Sequence, residues 1–254
     1  LGRFREFRVS NYQLMMDLIT YCKNHTIDEI LALPDIKERV DLYFDHEARA
    51  KEQITRCSTV HKNLVVLDLR DGKVRPYLAR RNTERFKGVN DLTFDSQGNL
   101  YFTDQGQTGL HDPTGRVFRL QPTGHLDCLL RNAPSPNGLV LDAEGKTLFV
   151  AVTRGNQVWR APLLPDGSVS KVGAFQTFFG TSGPDGMAMA ADGSLVVAHA
   201  SLGVAFVLSP RGEVTHVVES PSGATVTNVA FRPGTCELVM TESSSGTVLT
   251  ATLP

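Results

Sequence analysis

The sequence contains no apolar run of about 18 residues, so no membrane-spanning helix is expected. It also lacks an excess of one charge. The 26 Lys and Arg face 27 Asp and Glu, for a net charge of -1. That balance argues against nucleic acid or an anionic membrane as a partner. Cysteine is scarce: Cys22, Cys57, Cys128 and Cys236 show no CxxC spacing, which argues against a disulfide scaffold or a zinc finger. They read as free thiols that fill core volume in a reducing compartment, so a cytoplasmic location is expected. The start, Leu1 to Ser10, is basic without an apolar stretch and does not read as a signal peptide. No Gly-x-Ser-x-Gly elbow is present, which disfavours a serine hydrolase. Gly180-Thr181-Ser182-Gly183 lacks the lysine of a phosphate loop.

Glycine is nearly missing from one part of the chain. Of 22 glycines only Gly2 precedes residue 63, while 20 of the 53 charged side chains lie in residues 1–62. Such a shift predicts two kinds of structure, a helical segment at 1–62 and a β domain at 63–254. In the first, Asn11 caps a helix to His25 with Leu14, Leu18 and Tyr21 on one stripe. Thr26 and Glu29 form a capping box for a helix that ends at Leu33, before Pro34. Asp35 caps a third, carrying Ile36, Val40, Tyr43 or Phe44, and Ile54.

The second part is repetitive. Asn90-Asp91-Leu92, Asn137-Gly138-Leu139, Asp185-Gly186-Met187 and Asn228-Val229-Ala230 start 47, 48 and 43 residues apart. Each opens an apolar strand. A Gly turn, a second strand, another Gly or Asn, a third strand and a closing turn follow. Four short strands per repeat of this length predict the blade of a β-propeller, with a sandwich or barrel as the structural alternative. Residues 63–79 match the second half of a repeat. The expected fold is therefore mainly β: an incomplete propeller of four blades plus half a blade, with an N-terminal helical segment. Open blade edges attract a partner, so a homodimer is expected.

Equivalent positions of radial blades converge on the axis. Asn90, Asn137, Asp185 and Asn228 therefore offer a ring of amide and carboxylate oxygens that suits one hard divalent cation. Calcium is expected first, with magnesium, manganese or zinc as alternatives; the absence of Cys and His from these positions argues against zinc. Asn228 is the weakest member, because no Gly or Asp follows it. Asp185 and Asp104 are candidates for taking a proton from water. His199, at the end of a second strand, and His111, on the excursion after Asp104, are candidates for shuttling protons or contacting substrate.

The stretches Gly88-Val89-Asn90-Asp91-Leu92, Tyr101-Phe102-Thr103-Asp104, Ser135-Pro136-Asn137-Gly138-Leu139 and Gly183-Pro184-Asp185-Gly186-Met187 resemble the senescence-marker-protein, gluconolactonase and luciferin-regenerating-enzyme family. The resemblance covers residues 80–254. It implies a six-bladed propeller with one catalytic divalent cation and activity on lactones or organophosphates. It further implies Asn137 and Asp185 as metal ligands, Asn90 as a ligand or substrate-binding residue, and Asp185 as the general base as well. The family also uses a first-blade glutamate that this chain lacks, and Glu242, Glu47 or a partner's group would have to replace it. Residues 9–70 resemble a fragment of a DHH-type phosphoesterase, from Asn11-Tyr12-Gln13-Leu14 through Ile30-Leu31-Ala32-Leu33-Pro34 to Asn63-Leu64-Val65-Val66-Leu67. That family's metal-binding motifs are not matched, and the chain reads as a fusion of two fragments.

Three functions compete. The first is a divalent-metal-dependent hydrolase of small lactones or aryl esters, with phosphotriesters as a close variant. The second is a non-catalytic propeller with a structural Ca²⁺. The third is a phosphodiesterase carried by the helical fragment. The expected partners are a small ester and a second copy of the chain.

Overall fold

The structure, a computed structural model, describes residues 7–8, 53–57, 63–68 and 73–254, with side chains described at 64–66 and 76–254. Valine, leucine, phenylalanine and threonine alternate along short runs between glycine turns, the pattern of a pleated surface buried on its faces. β1 (Phe7–Arg8) comes first. It is followed by a three-stranded sheet of β2 (Gln53–Cys57), β3 (Asn63–Asp68) and β4 (Lys73–Leu78), then by a small hairpin of β5 (Arg80–Arg81) and β6 (Glu84–Arg85).

Four antiparallel blades follow. The first is β7 (Val89–Phe94), β8 (Leu100–Asp104), β9 (Gly115–Leu120) and β10 (Leu126–Ala133). The second is β11 (Pro136–Leu141), β12 (Thr147–Val152), β13 (Gln157–Pro162) and β14 (Gly173–Thr177). The third is β15 (Pro184–Met189), β16 (Leu195–His199), β17 (Val204–Leu208) and β18 (Val214–Glu219). In the fourth, β19 (Val226–Phe231), β20 (Glu237–Glu242) and β21 (Thr247–Thr252) are joined by β1, with Phe7 opposite Val248 and Arg8 opposite Thr247. The two ends of the chain thus share one blade.

The turn between the first two strands of each blade repeats in detail. Gly98, Gly145, Gly193 and Gly234 all have φ between 67° and 84°, a left-handed conformation that costs glycine nothing. The core is divided between successive sheets. Leu64, Phe86, Phe102 and Phe118 fill the space between the three-stranded sheet and the first blade, with Phe86 edge-on to Phe102 and Phe102 stacked on Phe118. Val117, Leu139, Leu148 and Val150 lie between the first and second blades, Phe149, Val158, Met187 and Val197 between the second and third, and Val196, Ala205, Val229 and Met240 between the third and fourth. The innermost strands run side by side, β7 against β11, β11 against β15 and β15 against β19. This is a propeller-like arrangement.

The N-terminal part differs from expectation. The helices expected at 11–25 and 26–33 lie outside the described residues. Ile54, expected on a third helix, is in strand β2 and faces Val66. The compositional boundary at 62–63 falls between β2 and β3, two paired strands of one sheet. The half-blade is accordingly three strands, and β2 lies against β7. Cys128 is half-buried and Cys236 exposed, both free thiols, so Cys236 is not core filler. No helix among the described residues is long and apolar enough to cross a membrane.

Candidate metal centre

Each inner strand starts with one residue paired to the end of the second strand: Val89 with Asp104, Pro136 with Val152, Pro184 with His199, Val226 with Glu242. The register then breaks before pairing resumes. Such a bulge adds one residue and re-aims its side chain. The residues following the starting pairs are Asn90, Asn137, Asp185 and Thr227. The fourth equivalent is therefore Thr227, not Asn228. Asn228 occupies the place of Asp91, Gly138 and Gly186, and its Oδ1 accepts the Val229 N–H at 2.9 Å. The Thr227 hydroxyl lies 2.9 Å from that of Thr241.

The bulged strands approach each other closely. A β-carbon on Gly138 would stand 2.2 Å from the Asp185 carbonyl oxygen, and one on Gly186 would stand 1.9 Å from Asn228 Oδ1. Only glycine allows this contact. The Thr103 hydroxyl donates to the Asn137 carbonyl at 2.8 Å, and the Thr153 hydroxyl donates to the Pro184 carbonyl at 2.8 Å. These bonds tie the starts of the second and third inner strands to the preceding blade.

Asn90 and Asn137 are buried, and the Oδ1 of each has no hydrogen-bond partner among the described residues. The Asn90 amide is oriented from behind. Its Nδ2 donates to Gln105 Oε1 at 2.6 Å, and Gln105 Nε2 donates to Ser135 Oγ at 2.9 Å. The nitrogen end is spoken for and the oxygen end is left open. A buried acceptor without a partner costs about 1–3 kcal/mol. Two at equivalent positions, in register with the half-buried carboxylate of Asp185, fit a cation that takes oxygen ligands. No three His, Cys, Asp or Glu side chains cluster to hold a metal among the described residues. The fit therefore rests on amide oxygens and one carboxylate. Sequence reasoning missed Gln105, because nothing in its neighbourhood signals that its side chain turns back on Asn90.

The other candidates are placed elsewhere. Asp104 is fully buried, and both of its oxygens are engaged. Oδ1 accepts the Gly88 N–H at 2.7 Å, while Oδ2 accepts Arg116 Nε at 2.9 Å and Nη2 at 2.6 Å. Glu242 holds the matching place in the fourth blade. Its carboxylate accepts the N–H groups of Thr225, Ser244 and Ser245 and the hydroxyls of Ser244 and Ser245. Burial pushes its pKa up, but these bonds outweigh burial and bring it down to about 2. Its oxygens are thus committed to the local turn, which argues against Glu242 as a ligand of the cation. Glu47 lies outside the described residues. His111 is exposed on the loop 105–114, with its ring against Gly109.

His199 is fully buried, edge-on to Phe178 and Phe206, with neither ring nitrogen bonded among the described residues. Burial pushes its pKa down. Below about pH 6.5 the unfolded chain then binds a proton that the folded chain resists, so stability falls as pH falls. His199→Phe is expected to keep stability within about 1 kcal/mol at pH 7.5 and to weaken its decline toward pH 5. Urea midpoints at both pH values check this, and an unchanged pH dependence would contradict it.

Residues 44–244 match the family described as SMP-30/Gluconolactonase/LRE-like region. The chain belongs to this family. The family match starts before residue 62, and the phosphoesterase resemblance of residues 9–70 has no counterpart in it. Lactonase drp35 of Staphylococcus saprophyticus is 31% identical over 163 residues, which is 60% of this chain and 49% of that protein. The chain spans about half the length of the curated relatives it matches. A gluconolactonase from Xanthomonas campestris superposes with a TM-score of 0.66 at 22% identity, over 76% of this chain and 66% of that one. The calcium-binding protein regucalcin from Agrobacterium tumefaciens superposes with a TM-score of 0.64 at 20% identity, over 79% and 72%. At these identities the two structures show the same fold as this member of the SMP-30/gluconolactonase family.

Proposed function

We propose that the chain carries the hydrolytic site of a divalent-metal-dependent lactonase. The observation that carries this reading is the pair of unpartnered, buried oxygens of Asn90 and Asn137 in register with Asp185. Asn137 and Asp185 hold the cation and Asn90 completes the set or meets the substrate. Calcium fits best, because every donor is oxygen, and the regucalcin likeness agrees. When bound, such a cation polarises the ester carbonyl and acidifies a neighbouring water.

The chain's own residues do the rest. Asp185 takes the proton of the attacking water as the new C–O bond forms. The ring C–O bond breaks, and the proton passes to the departing alkoxide, giving a hydroxy acid. Asp104 is set aside for this task, because its two oxygens are held by the Gly88 N–H and the Arg116 guanidinium. Gln105 holds the Asn90 amide in orientation. His199 and His111 contribute only if a proton path or the substrate reaches them. A phosphotriester presents a similar polarised oxygen and is the close alternative substrate.

A specific observation favours the second reading, a propeller with a structural cation: Glu242, a candidate for a further carboxylate ligand, is committed to its turn. The two readings part in one experiment. A γ-lactone, an aryl ester and a phosphotriester are offered before and after EDTA. Turnover lost on chelation and restored by one added cation supports the hydrolase. Turnover that resists EDTA, or none at all, leaves the structural-cation reading. We also propose a homodimer. Light scattering at micromolar concentration should give twice the chain mass, and a monomeric mass would refute it.

A further inference from the structure

Three connections lie at the same end of the blades as the bulges. Residues 105–114 follow Asp104, which pairs with Val89, and residues 200–203 follow His199, which pairs with Pro184. Residues 178–183 lead directly into Pro184 and Asp185. These connections are joined into one crown. Gln105 is bonded to Asn90, and the Thr108 hydroxyl donates to the Gln105 carbonyl while accepting the Ser135 N–H. A β-carbon on Gly109 would touch Arg154, whose Nη1 donates to the Thr181 carbonyl at 3.2 Å. Asn156 Nδ2 donates to the Gly180 carbonyl, the Ser182 N–H donates to Ser201 Oγ, and Gly180 lies against Leu202.

This crown carries Leu110, Phe179 and Leu202, which are 74%, 81% and 41% exposed. They are three of the seven large exposed hydrophobics among the described residues. Scattered single apolar residues at a surface mean little. Here they stand on one linked set of loops, at the end of the blades where the inner strands begin. The loops themselves are nearly uncharged: Asp112 is the one acidic or basic residue in the three, apart from His111. The Asp112 carboxylate accepts the Thr114 hydroxyl. Arg154, which joins the loops, and Lys87, which donates to the Thr114 hydroxyl, supply the cations beside them, and the three exposed apolar side chains offer a surface for an alkyl or aryl group.

We propose that Leu110, Phe179 and Leu202 form an apolar specificity rim that selects esters bearing a long alkyl chain or an aromatic group. The inference rests on the hydrolase reading for its reaction but not for its binding. A series of γ-lactones with alkyl side chains of one to eight carbons tests it. The wild-type kcat/KM is expected to rise with chain length, with a ceiling of about fourfold for each fully buried methylene. In the Leu110→Ser/Phe179→Ser chain the ratio of long-chain to short-chain kcat/KM should fall about tenfold or more, the loss of two to three such methylene contacts.

The matching γ-alkyl lactams, which resist hydrolysis, give a binding series by calorimetry, and circular dichroism confirms that the variant is folded. Chain-length-dependent lactam binding without lactone turnover would keep the rim and sink the hydrolase. Lactone turnover without any chain-length preference would do the reverse. An equal slope in wild type and variant overturns the rim.

Discussion

Asp185→Asn is expected to lower lactone turnover by about 10³-fold, the scale on which a group acting at the reacting centre is missed. The substitution keeps an oxygen at the ring position and removes the charge and the base together. Cation affinity should therefore fall less than turnover does. Asn137→Ala should show the opposite pattern, because it deletes a neutral ligand and leaves the base: turnover at saturating cation is expected to recover in large part, while the cation concentration needed rises. Measuring kcat across a calcium titration for both variants separates the two roles. Equal losses in both, insensitive to added cation, would mean that the ring serves only the packing of the blades.

Asp104→Ala is expected to cost about 3–5 kcal/mol of stability, because it leaves the buried Arg116 guanidinium without its main partner and the Gly88 N–H without an acceptor. Arg116 retains a bond to the exposed Glu84 at 2.6 Å, too far toward solvent to replace what is lost. Replacing both members, as in Asp104→Ala/Arg116→Met, should recover much of the stability, since removing a buried pair is cheaper than breaking it. Urea unfolding of the two variants checks this. A stable Asp104→Ala chain without activity would instead make Asp104 a catalytic residue.

The repeat was legible because the turns between first and second strands need glycine at one fixed place and the strands between them are short and apolar. The positions of Asn90, Asn137 and Asp185 followed from that repeat alone. Asn228 is misaligned because the last repeat is shorter and places an asparagine one residue after the ring position, and only the pairing of Val226 with Glu242 puts Thr227 in its place. Asp104 and Glu242 looked like chemistry because a sequence reveals a carboxyl but not what its oxygens bond. Both turn out to fasten the start of the inner strand to the end of the second. The contributions of β1 and β2 were illegible for another reason. Their partners lie far along the chain or across a shift in composition, and two to five residues carry no periodicity to read.

Isothermal titration of the metal-free chain with calcium tests the central claim most directly. One site per chain is expected, weakened at least about tenfold in Asn137→Ala and in Asp185→Asn. Absence of binding in the wild type, or equal affinity in all three proteins, would contradict a cation held by Asn90, Asn137 and Asp185.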